Sequence, residues 1–190
     1  MTESLRHQEF EETALIHMDA LFKTAYRLTG SREEGEELVQ ETFIKAFRFF
    51  HQFTRGTNCR AWLYKILRNT FFNRLEQDKR RPSTTDLDAL EPFLGEEDAD
   101  IGMQASTDEE MLGRVLEDDV MGALMELPET YRMVVILSDL EGLSYKEIAE
   151  VMEVPIGTVM SRLHRGRKAL RGRLAQAARR YGIAGEMRGG

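Results

Sequence analysis

Lys65, Asn69 and Asn73 recur at i, i+4 and i+8 within the run CRAWLYKILRNTFFNR, with Arg68 and Phe72 beside them. At 3.6 residues per turn that spacing lines two amides and two cations along one side of a helix, with an aromatic ring in reach. Amides read base edges, cations hold phosphates and rings stack on unpaired bases, so the set suits the exposed strands of a nucleic acid. The preceding loop adds Phe53, Arg55, Thr57 and Asn58, which can line a pocket for one unstacked base. Trp62 and Phe71 are read instead as core residues, beside the apolar stripe Leu63, Ile66, Leu67 and Thr70.

A second constellation lies in LSYKEIAEVMEVPIGTVMSRLHRGRKAL. Ser144 and Glu147 form a capping box, and Leu143 with Ile148 are spaced as a hydrophobic staple, so a helix starts here. It ends near Met152, the turn Glu153-Val154-Pro155 follows, and a long helix runs from about Gly157 to Tyr181. A short helix, a tight turn and a longer basic helix make a helix-turn-helix. Ile148, Ala149 and Met152 pack against Val159 and Leu163, which leaves Thr158, Met160, Ser161, His164 and Arg165 on the outer face, free to enter a major groove. Arg162, Arg167, Lys168 and Arg171 lie toward the flanks and suit phosphates. An ordinary helical hairpin with a solvated basic face is the bland alternative. Against it, residues 161–180 hold eight Arg or Lys and no acid, whereas a solvated helix mixes charge signs. Glu153 occupies a place where such turns often use Gly at positive φ, so a strained turn is expected.

The formal net charge of −7 appears to exclude a polyanionic partner, but its distribution reverses the inference. Residues 86–119 carry 13 acids and one base, and the rest of the chain holds 25 basic against 20 acidic residues. Two mildly basic blocks are thus joined by an acidic strap. With 190 residues, 42% hydrophobic, the chain can bury one medium core or two small ones. No run approaches the ~20 apolar residues of a membrane span, and MTESLRHQEFEETALIH has no apolar signal segment. A single cysteine, Cys59, excludes an intrachain disulfide and a Cys-rich zinc framework. No membrane association, no metal and no cofactor are expected, and a reducing cytoplasm is the expected compartment.

The elements that must position these residues read as helices throughout. Phe10, Ala14, His17, Leu21, Ala25 and Leu28 make one apolar face of a first helix that Gly30 ends. Ser31 and Glu34 form an S-x-x-E capping box for a second, whose buried face is Val39, Phe43, Ala46, Phe47 and Phe50. A polar loop, 52–58, leads into a third from about Arg60 to Asp78, and Pro82 closes the block. Residues 83–113 lack periodicity and read as a mobile linker, with a loosely packed acidic helix as the alternative. Two further helices, around Val120, Leu124 and Leu127 and around Tyr131, Val134, Val135 and Leu137, precede the helix-turn-helix. The expected fold is all-α, in two small domains of residues 1–82 and 114–190 joined by the linker 83–113.

The runs GSREEGEELVQETF, AWLYKI with Asn69, and the helix-turn-helix together resemble an extracytoplasmic-function (group IV) RNA polymerase sigma factor, in both blocks and in the right order. The resemblance implies that Glu37, Gln40 and Glu41 dock on core RNA polymerase, with Glu37 standing where the family's motif usually has Asp. It implies that Phe53, Arg55, Asn58, Lys65, Asn69 and Asn73 capture the melted −10 element. By the same resemblance Thr158, Met160, Ser161, Arg162, His164 and Arg165 read the −35 element as duplex, with Met160 where some relatives carry a basic residue. FHQFTRGTN, AWLYKILRNTF and PIGTVMSRLHRGRKALRG look nearest to sigma factors that answer thiol-oxidative stress. Those are held by a small anti-sigma factor, often zinc-binding, which is the implied third partner after polymerase and promoter DNA. The acidic strap would then suit polymerase channels built for a polyanion. Cys59, next to Arg60 at a helix start, is read as a small structural residue rather than a sensor.

Two other classes compete. A stand-alone helix-turn-helix regulator would bind paired half-sites as a dimer without polymerase. An enzyme would need a catalytic cluster, but His7, His17, His51 and His164 are scattered and no H-E-x-x-H, Walker-type or nucleophile-elbow motif occurs. No catalytic residue is therefore assigned. A gel shift with and without core polymerase separates the first two readings: promoter DNA is expected to shift only when core is added, and a shift by the protein alone points to the regulator.

Overall fold

The computed structural model describes residues 3–80 and 108–180, and among these no strand occurs. Six helical segments lie in residues 3–80: α1 (Glu3–Thr13), a 3-10 turn (Leu15–His17), α2 (Met18–Thr29), α3 (Arg32–Phe49), a second 3-10 turn (Phe50–Gln52), and α4 (Cys59–Arg80). After them come α5 (Asp108–Met125), α6 (Glu129–Val135), a π turn (Ile136–Leu140), α7 (Tyr145–Met152) and α8 (Ile156–Arg180).

The single first helix expected from the apolar spacing is two, offset at Ala14. Phe10 on α1 sets its ring edge-on against Phe43, Phe47 and Phe50, while Leu21, Ala25 and Leu28 on α2 are fully buried. A three-residue turn of tighter winding keeps apolar residues nearly in phase, so periodicity alone does not see the break. Gly30, at φ 75°, ends α2 as expected. Ser31 accepts from the Glu34 backbone N–H to start α3. The linker expected over 83–113 lies outside the described residues as far as 107, as does Pro82, and α5 already begins at Asp108.

In the second half, Ser144 and Glu147 form the full reciprocal capping box, and Leu143 and Ile148 are both buried. Ile148, Met152, Val159 and Leu163 close the contact between α7 and α8, with Ala149 partly buried beside them. Glu153 caps α7 at φ 54°, the only non-glycine residue with positive φ among those described. Gly166, exposed to no such turn, is required by proximity. A Cβ there would lie 2.7 Å from Val135 Cγ2, so the backbone of α8 packs directly on a stiff side chain of α6.

The two halves share one continuous core, α4 packing on α7 and α2 on α5 and α6. Arg132, 6% exposed, is the one charged residue buried with it among the described residues. Its guanidinium donates to the carbonyls of Leu124 (2.9 Å), Met125 (2.8 Å) and Leu127 (3.1 Å) at the end of α5, and to Leu28 O at the end of α2. One cation therefore satisfies helix C-termini from both halves, where the dipole favours positive charge.

Gly166→Ala is expected to destabilise the protein by about 1–3 kcal/mol through overpacking. Gly172→Ala, on the same helix with no atom within 4 Å of the added Cβ, is expected to stabilise it by about 0.5–1 kcal/mol. Urea unfolding of the two variants checks both signs.

Candidate functional site

The loop before α4 is shaped by Gly56 at φ 80° and by Asn58, whose side-chain oxygen accepts from the Ala61 N–H at 3.1 Å and so caps the helix. Phe53 stacks on Phe50 with ring centroids 5.8 Å apart, and Trp62 packs against both. Between this loop and α1 lies a cavity of about 240 Å³ lined by Arg6, Glu9, Phe50, His51, Phe53 and Arg55. The Arg55 side chain pairs with Glu9 across it. Of the four loop residues expected to line one pocket, the structure brings Phe53 and Arg55 together and leaves Thr57 and Asn58 outside its lining, and it adds Arg6 and Glu9 from a helix that no motif marked.

Along α4, Leu63, Leu67, Thr70 and Phe71 are buried, as expected of the core stripe, while Trp62 is only partly covered. Lys65, Arg68 and Asn69 are half-buried and Asn73 is exposed. Arg68 donates to Asn69 Oδ1 at 2.6 Å and lies over the Phe72 ring, 5.7 Å from its centroid. The side that carries these groups faces α7. Lys65 Nζ lies 2.9 Å from Glu153 Oε1, Arg68 Nη1 2.9 Å from Glu153 Oε2, and the Asn58 amide 2.5 Å from Glu147 Oε1.

On α8, Met160 is 54% exposed, and Ser161, His164 and Arg165 are exposed with it, whereas Thr158 and Arg162 are half-buried. Arg165 reaches the Tyr131 hydroxyl at 3.4 Å. Arg167, counted from the sequence among phosphate-binding flanks, is instead tied down within the protein. It makes a forked pair with Asp139 at 2.5 and 3.0 Å and reaches Ser138 and Tyr145. Those donors hold the Asp139 carboxyl below the usual carboxylate range. The spacing could not reveal this, because Asp139 is 28 residues away and reaches Arg167 only through the π turn.

Glu37, Gln40 and Glu41 on α3 divide between two surroundings. Glu41 pairs with Lys45 and Arg74, each at 2.7 Å, and Glu37 lies 3.5 Å from Arg74. Burial raises the Glu41 carboxyl, but the hydrogen bonds from Lys45 and Arg74 outweigh it and bring the net shift downward. Gln40 instead borders a groove of about 620 Å³ between α2 and α3, whose apolar walls include Met18, Phe22, Val39, Phe43, Ile44 and Phe47. The sequence reading missed this groove. Its signal is Ile44, 62% exposed, an apolar residue outside the buried stripe of α3.

The junction of the halves centres on Glu141, at the end of the π turn, with its side chain 6% exposed. It accepts from Tyr64 Oη (2.6 Å), Arg60 (2.8 Å) and Thr24 (3.0 Å), and Arg27 lies 3.7 Å away. Burial and then Glu141 push the Tyr64 phenol up to about 12. Cys59, buried, has its thiol pushed up to about 11 by that burial. Among the described residues no group of His, Cys, Asp and Glu is placed to hold a metal, and no helix is long and apolar enough to cross a membrane.

Two families match the chain in order, sigma-70 region 2 over residues 15–81 and sigma-70 region 4 over residues 117–170. The chain is 37% identical over 168 residues to the ECF RNA polymerase sigma factor SigE of Mycolicibacterium smegmatis, covering 88% of this chain and 62% of that relative. It is 38% identical over 144 residues to the ECF RNA polymerase sigma-E factor of Escherichia coli K12, covering 76% of this chain and 75% of that one. Among solved structures it is similar to the sigma factor RpoE of Bartonella quintana in complex with the anti-sigma factor NepR. That match has a TM-score of 0.68 at 29% identity and covers 88% of this chain and 97% of that one. CnrH in complex with the cytosolic domain of CnrY matches in fold, with a TM-score of 0.63 at 21% identity over 90% of each chain.

Because the folded Tyr64 pKa lies above the ordinary value of 10.0, the stability this phenol contributes is complete below about pH 10 and is lost as pH rises toward 12. Unfolding free energies measured across that interval are expected to fall more for the wild type than for Tyr64→Phe.

Proposed function

The chain belongs to the ECF RNA polymerase sigma factors, and from that premise we propose that it directs core polymerase to promoters, opens them and starts transcription as a subunit with no catalytic centre of its own. The observation that carries this reading is the pairing of an amide- and cation-bearing α4 with an exposed basic α8, lying respectively within the region 2 and region 4 matches.

Each surface has a stated role in this reading. Lys65, Asn69 and Asn73 with the Phe53, Arg55 and Asn58 loop take the unpaired −10 strand, one base entering the cavity beside Phe53. Thr158, Met160, Ser161, Arg162, His164 and Arg165 read and hold the −35 duplex through the major groove. The α2–α3 groove with Gln40 at its rim takes a polymerase element. Glu37 and Glu41, held by Arg74, shape the acidic edge of that surface. Two weak DNA sites joined through polymerase then act at high effective concentration. The acidic excess of residues 86–119 suits polymerase channels built for a polyanion, and the cytoplasm is the compartment where core polymerase is met.

Control by an anti-sigma factor is part of the proposal, supported by the Bartonella sigma factor's structure with NepR. The finer reading is a zinc-binding partner that senses thiol oxidation, drawn from the FHQFTRGTN and PIGTVMSRLHRGRKALRG runs. The buried, raised thiol of Cys59 leaves the sensing chemistry to that partner.

Run-off transcription with purified core polymerase on a promoter library tests the proposal. Initiation is expected to depend on the protein, and the Lys65→Ala/Asn69→Ala variant is expected to lose about tenfold or more in open complexes, from ~1–3 kcal/mol per lost base contact. Ile44→Asp is expected to weaken core binding and leave the −35 duplex contact unchanged. Failure of the folded protein to start RNA chains on any template overturns the reading.

A further inference from the structure

We propose that Glu153 is an intramolecular latch, its carboxylate standing between Lys65 and Arg68 in the place of a DNA phosphate. It thereby masks part of the strand-binding side of α4 in the free protein and leaves the outer face of α8 open. The inference rests on the reading of α4 as the strand-binding helix.

Glu153 is a costly choice at its position. A side chain at φ 54° and ψ 44° is one that glycine adopts freely and other residues seldom do. The local turn gives no reason for a carboxylate there, since the cap bond of α7 runs through the Glu153 backbone N–H to Ala149 O. The reason lies in the other half of the molecule. Oε1 takes Lys65 Nζ at 2.9 Å, Oε2 takes Arg68 Nη1 at 2.9 Å, and Arg68 Nη2 donates to Met152 O at 3.2 Å. Two oxygens on one small anion, each held by a separate cation, reproduce what a backbone phosphate offers these side chains.

The neighbouring contacts agree. Two acids that face α4 come from α7 and its end, Glu147 in the first turn of α7 and Glu153 at its C-cap. Glu147 accepts from Asn58, a second group of the strand-binding set. The Glu153 carboxyl is held below the ordinary range by Lys65 first and Arg68 after it. Met160, Ser161, His164 and Arg165 remain exposed in the same arrangement. Masking is therefore partial and lies on α4: Lys65, Arg68 and Asn58 are engaged by acids of α7 and its cap, while Asn73, Arg55 and the outer face of α8 stay exposed. Lys65 and Glu153 are each about half exposed, so the pairs are weak and screened by salt, as befits a contact that polymerase must undo.

Two exposed pairs bias a closed–open ratio by about fivefold, and affinity for a ligand of the open form changes by the same factor. The test uses the full chain and fluorescein-labelled dT20 at low salt, read by anisotropy. Glu153→Gln and Glu153→Gly are expected to bind about fivefold more tightly than wild type, the glycine variant also relieving the strained turn and so keeping its fold. Glu150→Gln, which removes the same charge three residues away, is expected to stay within about twofold of wild type. In a Lys65→Ala/Arg68→Ala background the gain from Glu153→Gln is expected to vanish. Unchanged affinity in both Glu153 variants, an equal gain from Glu150→Gln, or a gain that survives loss of both cations overturns the latch. A Glu153→Gly protein whose dT20 affinity ignores Lys65 and Arg68 overturns instead the reading of α4 beneath it.

Discussion

A single carboxylate, that of Glu141, fixes how the two halves of this protein meet. It is nearly sealed from water and carries a charge that only the opposite half can satisfy, through Arg60, Tyr64, Thr24 and Arg27. A buried anion without those donors would be strongly unfavourable, so the junction tolerates little sliding. The π turn that ends at Glu141 sets the carboxylate's position, its i→i−5 bond running from the Glu141 N–H to Ile136 O at 3.0 Å. Such wide turns cost helix regularity and are retained where they aim a side chain. Directly after it, Leu143 and Ser144 start α7, so the same turn that places the anion also places the helix-turn-helix against α4.

Arg132 does the converse with a buried cation. Its donors end on carbonyls at the C-termini of α5 and α2, so the negative ends of two helices face the charge, with the Glu129 carboxylate adding to them. Together, one anion lodged in the first half and one cation bridging to it add polar, directional contacts to the hydrophobic core that the halves share. A polar junction is specific when closed and readily rehydrated when opened. That suits the function we propose, in which α4 and α8 take different parts of one promoter.

Charge placement follows the same logic. A chain of net charge −7 binds a polyanion only by collecting its cations on a few surfaces, and α4 and α8 are the surfaces we propose for it. Acids on α3, in the π turn and at the C-cap of α7 then serve as internal partners for the cations. Arg74 is answered by Glu37 and Glu41, Arg167 by Asp139, and Lys65 with Arg68 by Glu153. Which basic side chains remain available for DNA is therefore a matter of tertiary pairing, not of count.

Much of this was legible in the sequence because it depends on local rules. The Ser144–Glu147 capping box, the Leu143–Ile148 staple, the packing set Ile148, Met152, Val159 and Leu163, and the helical spacing of Lys65, Asn69 and Asn73 are all encoded within one or two turns of chain. The oddity of Glu153 was visible there as well, as a side chain where glycine is common. What only the tertiary structure decided are the contacts between residues far apart in sequence. The break at Ala14 follows from docking Phe10 on the aromatic cluster of α3. The withdrawal of Arg167 from the DNA-facing set and the use found for Glu153 depend on partners 28 and 85 residues away. The groove beside Gln40 exists only once α2 lies along α3. Periodicity reports which face of a helix is apolar, but it carries no information on which distant charge or ring that face will meet, and that meeting is settled by the folded packing.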